Sequence, residues 1–509
     1  MAEARSHFME TELRFALSPH ARRIIERYVA LHEEAASPAA SRAERTTYYD
    51  TADLALRQAG LDLTIRHRAD GAGKYVQTVE TGEDGSSLHH QKWEWSIADA
   101  APDRACLEEV PGLLSVLKNG DDLRPLFHAD VQRCRRLLHP DGGNVELTLD
   151  QGVVVAERQS EPLSELALQL KQGSEESLLH LGLDLVQAAP LSLQIESTAG
   201  HGYRLCNSHG LRAHKAVPVA VDRHASVDDG FTRLAGSVLA HLLANQPAAL
   251  RGEQTEGVHQ MRVAIRRLRS LLVLFAPLVE EYGRRRFTGE LRRLGDCLGL
   301  ARDWDVLASE TLPQAEADGV DRGWIEPLRI AADGQRHAAH QAAKKAIGEP
   351  EFARFVLAFR LWSGGPAVAL APHDRNLPLR QLAPHLLDRL EDKVAKRLDR
   401  SDADDPASLH ALRKSTKKLR YGIEYLDALL GSKASRYVKR CNVLQRKLGA
   451  LNDLETAQRR LVGLAGDGRL DLVPATGALI NWVEARRPKL LEKALKARAA
   501  YCREDPFWR

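Results

Sequence analysis

The sequence predicts an α+β protein of several domains, in which a mainly β region over residues 8–204 is followed by an all-α region from residue 226. Two observations support this prediction. In the first region, short runs alternate apolar and charged residues between Gly- and Asp-rich joints, which is the pattern of half-buried strands. In the second region, apolar residues recur three and four apart, which is the pattern of amphipathic helices.

These patterns place the domain boundaries. We expect a β domain over residues 1–204, a linker over 205–225 that lacks periodicity and contains a proline, and a helical domain over 226–509. Within the helical domain, two related halves are expected at about 226–375 and 376–509. A length of 509 residues suits two or three domains, each able to bury a core.

Composition excludes several classes of protein. The net charge is only +3, so a protein that binds polyanions has to do so through local clusters of cations. No run of about 18 apolar residues predicts a membrane span, and the first ten residues lack the apolar core of a signal peptide. The six cysteines are far apart and form no C-x-x-C pair, which argues against structural zinc and suits a reducing cytoplasm.

In the β region, many strands carry charge along one face. Strands are expected at residues 8–17, 46–51, 61–68, 74–80, 91–97, 144–157 and 165–171, and helices at 19–35 and 174–188. A charged face suits the outside of a β-sandwich. It equally suits the inside of a tunnel-like barrel whose apolar face is covered by helices. Periodicity alone leaves both arrangements open.

Two matching segments organise the helical region, GVHQMRVAIRRLRSLLVLF at 257–275 and SLHALRKSTKKLRYGIEYL at 408–426. In each segment a histidine is followed by cations three, seven and ten residues later, which places all four on one stripe of a helix. Stretches 259–269 and 410–420 contain no acid. The eight stripe residues are our candidate binding site: His259, Arg262, Arg266, Arg269, His410, Arg413, Lys417 and Arg420.

An apolar stripe accompanies each row of cations, about 100° round the helix. It holds Val258, Met261, Ile265, Leu268 and Leu272 in the first segment, and Leu409, Leu412, Leu419 and Leu426 in the second, where Thr416 interrupts it. Such helices bury one face and present cations on the next. Arg267, Lys414 and Lys418 lie off the stripes, and we assign them to the rim of the site or to solvent.

A second pair of segments supports an internal repeat. LGLARDWDVL at 298–307 resembles LGALNDLETA at 448–457, and the separation from the histidine to the matching aspartate is 44 residues in one copy and 43 in the other. We expect Asp303 and Asp453 to pair with arginines or to stabilise helix ends. Two rows of cations predict a cradle for a polyanion, because guanidinium and ammonium groups are the usual donors to phosphate.

Other ligands are weighed against this prediction. Coordination of a metal by the histidines is disfavoured, because each histidine lies in a ring of cations. Nucleic acid is disfavoured because the stripes hold no aromatic residue for base stacking, although binding through the backbone alone stays open. Competition between polyphosphate and DNA or RNA distinguishes the two ligands.

Residues 8–204 resemble the CYTH domain of the triphosphate tunnel metalloenzymes. The resemblance rests on ETELR (10–14), YYDTADLALRQAGLDLTIRHR (48–68), HQKWEW (90–95) and LDQG (149–152), in that order. It implies an eight-stranded antiparallel barrel whose inner cations hold inorganic triphosphate and whose acids hold Mg²⁺ or Mn²⁺. Carried over, the implied triphosphate ligands are Arg14, Arg66, Lys92 and Arg133, and the implied metal ligands are Glu10, Glu12 and Glu165.

Departures from that pattern lead us to expect impaired hydrolysis of triphosphate. The family's lysine at the end of its first signature is Arg14, a cation is missing at Thr64, and a further cation is reversed to Glu80. Two of three carboxylates are absent from the strand that contains Glu165, and the late Ser-Lys pair is Ser197-Thr198. The alternative is an active metal-dependent triphosphatase whose helical half docks polyphosphate.

The helical region is identified as a member of the CHAD family, the conserved-histidine α-helical domain. HQMRVAIRRLRS, LGLARDWDVL, LHALRKSTKKLRY and LGALNDL occur in the family's order. The resemblance implies two four-helix bundles around a basic channel that binds inorganic polyphosphate. It also implies a cytoplasmic protein associated with polyphosphate granules.

Overall fold

The protein is described from a computed structural model. The structure describes residues 6–32, 41–68, 75–81, 88–117, 122–157, 159–206, 211–252, 254–365, 377–430, 434–466 and 469–509. The chain packs as two compact units. The first comprises residues 1–214 with segments 243–253 and 347–361, and the second comprises 215–242, 254–346 and 362–509.

A closed antiparallel barrel forms the centre of the first unit. Its strand order is β5-β4-β3-β2-β6-β7-β8-β1, and β1 also pairs with β5, which closes the sheet; the short β9 adds to β1. The strands are β1 Ser6–Ala16, β2 Arg42–Asp50, β3 Leu61–Arg68, β4 Tyr75–Thr81, β5 His89–Ile97, β6 Arg124–Leu138, β7 Gly143–Ala156, β8 Gln159–Gly173 and β9 Ser192–Leu193.

Side chains of β1 show which face of the sheet is polar. Glu10 and Glu12 line the central cavity, whereas Leu13 and Phe15 point outward and are buried. The outward pair lies against Gly182 of a covering helix, where an added Cβ would stand 3.1 Å from Leu13. The apolar face is therefore outside and the charged face inside, which resolves the choice between sandwich and tunnel in favour of the tunnel.

Helices accompany the barrel in the chain. They are α1 Pro19–His32, α2 Ala55–Gln58, α3 Arg104–Leu107, α4 Leu113–Val116, α5 Glu175–Ala188 and α6 Thr198–Cys206. The described parts of all seven predicted strand regions are mainly in β-strands, and the two predicted helices are confirmed as α1 and α5; residues 33–35 and 74 lie outside the described ranges. The sequence prediction missed β6, β9 and the short helices α2, α3, α4 and α6.

The rest of the chain is mostly helical, as predicted. Its helices are α7 Val227–Ala244, α8 Gln246–Arg251, α9 Glu256–Leu274, α10 Glu281–Val306, α11 Leu312–Ala317, α12 Arg322–Gly348, α13 Pro350–Gly364, α14 Leu379–Asp399, α15 Pro406–Leu430, α16 Ala434–Gly466 and α17 Val473–Tyr501. A π-helical turn, Leu307–Thr311, joins α10 to α11, and a 3₁₀ turn, Leu470–Leu472, precedes α17. In the described part of the chain, no helix is both long and apolar enough to span a bilayer.

Helices α9 and α15 form the middle of the second unit. They pack against each other, α9 also packs on α10, and α15 also packs on α14 and α16. All the predicted apolar stripe residues are buried. Thr416, which interrupts the second stripe, is also fully buried. Its hydroxyl is satisfied there, because it donates to the Leu412 carbonyl oxygen at 3.0 Å within its own helix.

Candidate functional site

Two helices, α9 and α15, bring five of the eight predicted stripe residues into one group. We call this group the cation cluster, and its members are Arg262, Arg266, Arg413, Lys417 and Arg420. Lys417 lies at its centre, because the positive charges that act on it come from the other four members. Burial, which is the largest cause, and these four charges together lower the pKa of Lys417 to about 6.

Arg266 and Arg413 are only partly compensated. Burial is the main cause that lowers the pKa of each guanidinium and Arg262 adds to it, whereas Tyr421 opposes the shift at Arg266 and Asp453 opposes it at Arg413. In the described part of the chain, the Nε atoms of Arg266 and Arg413 are buried without a hydrogen-bond partner. Buried donors of this kind are costly unless a ligand accepts from them.

Arg262 and Asp303 connect α9 to α10. Arg262 Nη1 donates to Asp303 Oδ1 at 3.0 Å and to the Gly299 carbonyl oxygen at 3.0 Å. Arg460 of α16 donates to the other carboxylate oxygen of Asp303, also at 3.0 Å. Asp303 therefore pairs with arginines, as the sequence predicted. Arg460 was not predicted, because it belongs to neither row of cations and its sequence position does not indicate that it contacts Asp303.

Asp453 is the matching acid of the second copy. Burial raises the pKa of Asp453, whereas Arg413 and Lys417 act to lower it and Glu310 acts to raise it. By sequence offset, Glu310 stands seven residues after Asp303, as Arg460 stands seven residues after Asp453. The two halves therefore differ at this position, and the second aspartate faces an acid as well as cations.

Glycines of the two LG segments lie beside two of the arginines. A Cβ added to Gly299 would stand 3.5 Å from the Arg262 guanidinium carbon, and one added to Gly449 would stand 3.7 Å from Arg413 Nε, both ordinary contact distances. Each arginine thus contacts a neighbouring helix at equivalent positions of the two copies. The repeated LG pair carried this signal, although the sequence analysis used only the aspartates that follow it.

The two predicted histidines occupy equivalent places beside the cluster. His410 Nδ1 contacts Asn452 Oδ1, and the charge of Arg302, at the position that matches Asn452, acts on His259. Burial is the main cause that lowers the pKa of both histidines, and neighbouring cations add to it. Both imidazoles are therefore neutral near pH 7, so they offer hydrogen bonds rather than charge until the pH falls below about 6.5.

Arg420 and Arg269 differ from the remaining stripe cations. Arg420 is paired with Glu424 at 2.5 Å and donates to Gln445 at 2.9 Å, so part of its charge is neutralised by an acid just beyond the acid-free stretch. The guanidinium of Arg269 lies beside Gly295 of α10, and its charge acts on Lys418. Arg269 therefore faces the neighbouring group of lysines.

One aromatic residue, Tyr421, lies inside the site and was missed because it follows the stripe directly. Arg266 forms a hydrogen bond with Tyr421, the Arg420 guanidinium lies 4.2 Å from its ring centre, and only 4 % of the residue is exposed. Its ring is thus covered and offers no surface to a base. Arg267, which the sequence analysis assigned to the rim or to solvent, is half-buried, and its guanidinium lies over the Tyr425 ring at 5.4 Å.

A second candidate site is the interior of the barrel, a cavity of about 570 Å³. All seven residues carried over from the CYTH resemblance line it: Arg14, Arg66, Lys92, Arg133, Glu10, Glu12 and Glu165. Arg42, Arg135 and Lys171 add cations that sequence reasoning missed, and Asp62, Glu146 and Asp150 add acids. Several of these lie on β6, the strand that was not predicted, or next to it on β7.

Ion pairs join most of the tunnel cations to tunnel acids. Arg14 pairs with Glu12 at 2.6 Å, and Arg133 forms a double hydrogen bond with Asp150 at 2.7 and 2.6 Å. Arg133 and Arg135 both bond to the buried Glu44. A phosphate entering the tunnel would therefore have to displace carboxylates from the cations that it needs.

Lys92 shows the effect of the reversed charge at position 80. Its ammonium group lies 3.0 Å from Glu80 and 3.4 Å from Glu10. Glu80, which stands where the CYTH pattern has a cation, therefore also pairs with Lys92, one of the cations that the tunnel retains. Burial raises the pKa of Glu10 to about 7; Lys92 opposes this shift, and Glu80 and Glu12 add to it. Near neutral pH, Glu10 is thus only half ionised.

The tunnel acids do not fit a divalent metal as they are arranged. Among the described residues, no group of three or more His, Cys, Asp or Glu side chains is positioned to hold an ion. Glu165 has a buried Oε2 without a partner there; burial raises its pKa, and the charges of Asp150 and Glu12 add to this shift while Arg14 opposes it. Mg²⁺ and Ca²⁺ sites need several oxygen ligands directed at one point.

Comparison with known proteins agrees with the two halves of the fold. The CYTH family model matches residues 9–203 and the CHAD family model matches residues 233–462. An uncharacterised protein of Mycobacterium tuberculosis is 27% identical over 276 residues, which is 50% of this chain and 52% of that protein. The inorganic triphosphatase of Haemophilus influenzae is 26% identical over 164 residues, 31% of this chain and 45% of that protein.

The chain thus spans about half the length of the curated relatives it matches. Among solved structures, the CHAD domain of the plant Ricinus communis superimposes with a TM-score of 0.50 at 29% identity, covering 57% of this chain and 98% of that one. The β-barrel, the helical region and the two family matches occur in the order that the sequence predicted. The chain is therefore a tandem of a CYTH domain and a CHAD domain.

Proposed function

We propose that this protein binds inorganic polyphosphate through the cation cluster of α9 and α15. The observation that carries the proposal is the placement of four arginines from two helices around Lys417, with Arg266 and Arg413 presenting Nε donors that are buried without a partner among the described residues. A folded protein tolerates such a group when a ligand supplies the missing negative charge. A linear chain of phosphates supplies many acceptor oxygens at once, which matches donors spread over two helices.

The chemistry of the cluster favours a phosphate chain over a nucleic acid. Guanidinium groups donate to phosphate oxygens in a planar fork, and the charges of all four cluster arginines act on the one lysine. Tyr421 is covered, so the cluster contains no free aromatic platform for a base. Association with polyphosphate granules in the cytoplasm belongs to the same proposal.

Calorimetry with the full-length chain tests this proposal. The full chain is used because segments 243–253 and 347–361 belong to the compact unit of the barrel, so residues 226–509 alone would be incomplete. Polyphosphate of defined length should bind, and for about five phosphate contacts the logarithm of the affinity should fall with the logarithm of salt concentration with a slope of about −3. If RNA or DNA displaces bound polyphosphate at an equal concentration of phosphate groups, the proposal is contradicted and a nucleic-acid backbone is favoured as the ligand.

For the barrel we propose impaired hydrolysis of inorganic triphosphate. Two features support this: Glu80 engages Lys92, and Arg133 and Arg14 are held by tunnel carboxylates. Each charge-assisted contact to phosphate contributes about 1.5–3 kcal/mol, so the loss of several contacts removes much of the binding free energy for a triphosphate. A triphosphate with its metal is the substrate that this cavity would take if it were active.

Phosphate release from inorganic triphosphate, measured with Mg²⁺ and with Mn²⁺, is expected to stay near background. The alternative of an active triphosphatase is favoured by the name of the H. influenzae relative, which matches 31% of this chain. Efficient turnover by the unchanged chain, abolished by Glu10→Gln, would establish that alternative and refute impairment. Glu26→Gln, which changes an exposed carboxylate of α1, is the matched control for the loss of one carboxylate in the same unit.

A further inference from the structure

A second group of cations lies on α14 and the adjacent face of α15, outside the cation cluster. We call it the α14–α15 patch, and it consists of Arg389, Lys393 and Arg397 on α14 with Lys414 and Lys418 on α15. The α14 residues are spaced four apart and so share one face, as do the two lysines of α15. Because α14 packs against α15, the two rows stand side by side.

The electrostatics show that the two rows meet. Burial is the main cause that lowers the pKa of Lys418, and the charges that add to it come from Lys393, Arg269, Lys414 and Arg397. Burial likewise lowers the pKa of Lys393, and Arg389 adds to it. The leading electrostatic influences on both lysines thus come from other cations of the patch and from Arg269.

Two acids of α14, Asp388 and Glu391, are engaged elsewhere. Asp388 accepts from Trp508 and Arg509 at the end of the chain, at 3.0 and 2.7 Å. Glu391 accepts from the hydroxyls of Tyr437 and Tyr501 at 2.9 and 2.8 Å. These contacts turn both carboxylates toward α16, α17 and the chain end, so they do not neutralise the patch.

One member of the patch is anchored, and three are accessible. Arg389 Nη2 donates to the carbonyl oxygens of Val273 and Leu274 at 2.5 and 2.7 Å, which caps the end of α9 and holds the guanidinium there. Lys393, Arg397 and Lys414 are exposed. A ligand can thus reach the patch from solvent without displacing an ion pair.

The patch is next to the cation cluster. Lys417 and Lys418 are consecutive residues of α15, so their side chains leave the helix about 100° apart. The charge of Arg269, a stripe residue of α9, acts on Lys418. Cations therefore continue from the cluster, over the surface of α15, to α14. A ligand that contacts both has to extend round the helix.

From this arrangement we infer that the α14–α15 patch is a second contact surface for long linear polyphosphate, so that the protein selects long chains over short ones. The inference rests on the proposed function, because the cation cluster holds the first part of the same chain. A short phosphate such as tripolyphosphate occupies the cluster alone. A long chain occupies both surfaces, and its second contact is intramolecular, which raises affinity without any new chemistry.

The test compares tripolyphosphate with long-chain polyphosphate in calorimetry on the full-length chain. The variant is Lys393→Gln/Arg397→Gln/Lys414→Gln, which changes exposed residues outside the cluster. We expect affinity for long chains to fall about tenfold. The slope of the logarithm of long-chain affinity against the logarithm of salt concentration should become shallower by about 2, because each of the three lost contacts to a single-stranded polyanion contributes about 0.7. Binding of tripolyphosphate should be unchanged.

The matched control removes three exposed arginines of α10 that each have an acid neighbour, Arg285→Gln/Arg292→Gln/Arg293→Gln. This control should leave both ligands unaffected. Equal losses in the two variants, or an unchanged long-chain affinity in the patch variant, would refute the inference while leaving the proposed function intact. Failure of the unchanged chain to bind either ligand would refute the proposed function, and the inference with it.

Discussion

Replacing Arg262, Arg266, Arg413 and Lys417 together with alanine is expected to abolish polyphosphate binding. Four charge-assisted contacts at about 1.5 kcal/mol each amount to about 6 kcal/mol, which is roughly a 10⁴-fold loss of affinity. The same change should not weaken the fold. Cations buried beside one another destabilise the empty protein, and replacement of buried charges by apolar groups is often neutral or stabilising.

This opposite response of binding and stability makes the prediction specific. Calorimetry measures the affinity, and thermal unfolding without ligand measures the stability. The exposed triple variant of Arg285, Arg292 and Arg293 serves as the control for loss of positive charge. Should the quadruple variant fail to fold, Lys417→Met retains the apolar stem of the side chain and should still reduce affinity by about tenfold. If the quadruple variant binds polyphosphate with an affinity within a few-fold of that of the unchanged protein, the proposed site is contradicted.

Polyphosphate binding above pH 6 is expected to take up about one proton at Lys417. In the empty protein burial lowers the pKa of Lys417 to about 6, so the amine is neutral at pH 7–8. A bound polyanion supplies the negative charge that the site lacks and raises this pKa. Because the bound state then holds the extra proton, affinity should fall about tenfold per pH unit as the pH rises from 6 to the bound pKa.

Calorimetry in buffers of different ionisation enthalpy counts the protons taken up. Lys417→Arg should retain binding but lose proton uptake at pH 7–8. The pKa values of His259 and His410 are also lowered from 6.5 in the empty protein, so a bound polyanion raises them too, and the uptake that belongs to Lys417 is the difference between the unchanged protein and the Lys417→Arg variant. Equal proton uptake by these two proteins, or affinity that does not depend on pH in the unchanged protein, would show that Lys417 is already charged in the empty site.

The same shift predicts how stability depends on pH without ligand. The folded-state pKa of Lys417 is lower than its unfolded value near 10.4. The unfolded chain therefore binds more protons between pH 6 and 10, and this group makes the protein more stable as the pH rises through that window. Its unfavourable contribution is complete below pH 6, where the folded state also carries the charge.

Periodicity was sufficient to predict α9 and α15 and the stripes they carry. A helix has one repeat, so residues three, four and seven apart must share a face wherever the helix lies. That is why the buried stripe from Val258 to Leu272 was correct, and why the predicted cations of each helix emerge on one side. β6 was missed because its segment, RPLFHADVQRCRRLL, mixes charged and apolar residues, and only a tunnel with a charged interior makes that mixture a regular strand.

Pairing between distant segments could not be read from spacing. Glu80 meets Lys92 because β4 and β5 are adjacent with those two residues in register, and Arg460 meets Asp303 across 157 residues. Arg420 finds Glu424 just outside the acid-free stretch. In each case the partner is set by which surfaces the apolar core brings together, and that information lies in three-dimensional packing.

The sequence by itself determined the order of a β and an α region, the two cationic helices and the resemblance to CYTH and CHAD domains. These follow from local periodicity and short motifs. The tertiary structure decided which cations gather around Lys417, which turn toward α14, and which tunnel cations are held by carboxylates. The physical reason is that the charge state and reach of a side chain depend on burial and on neighbours far away in the chain, which local spacing does not specify.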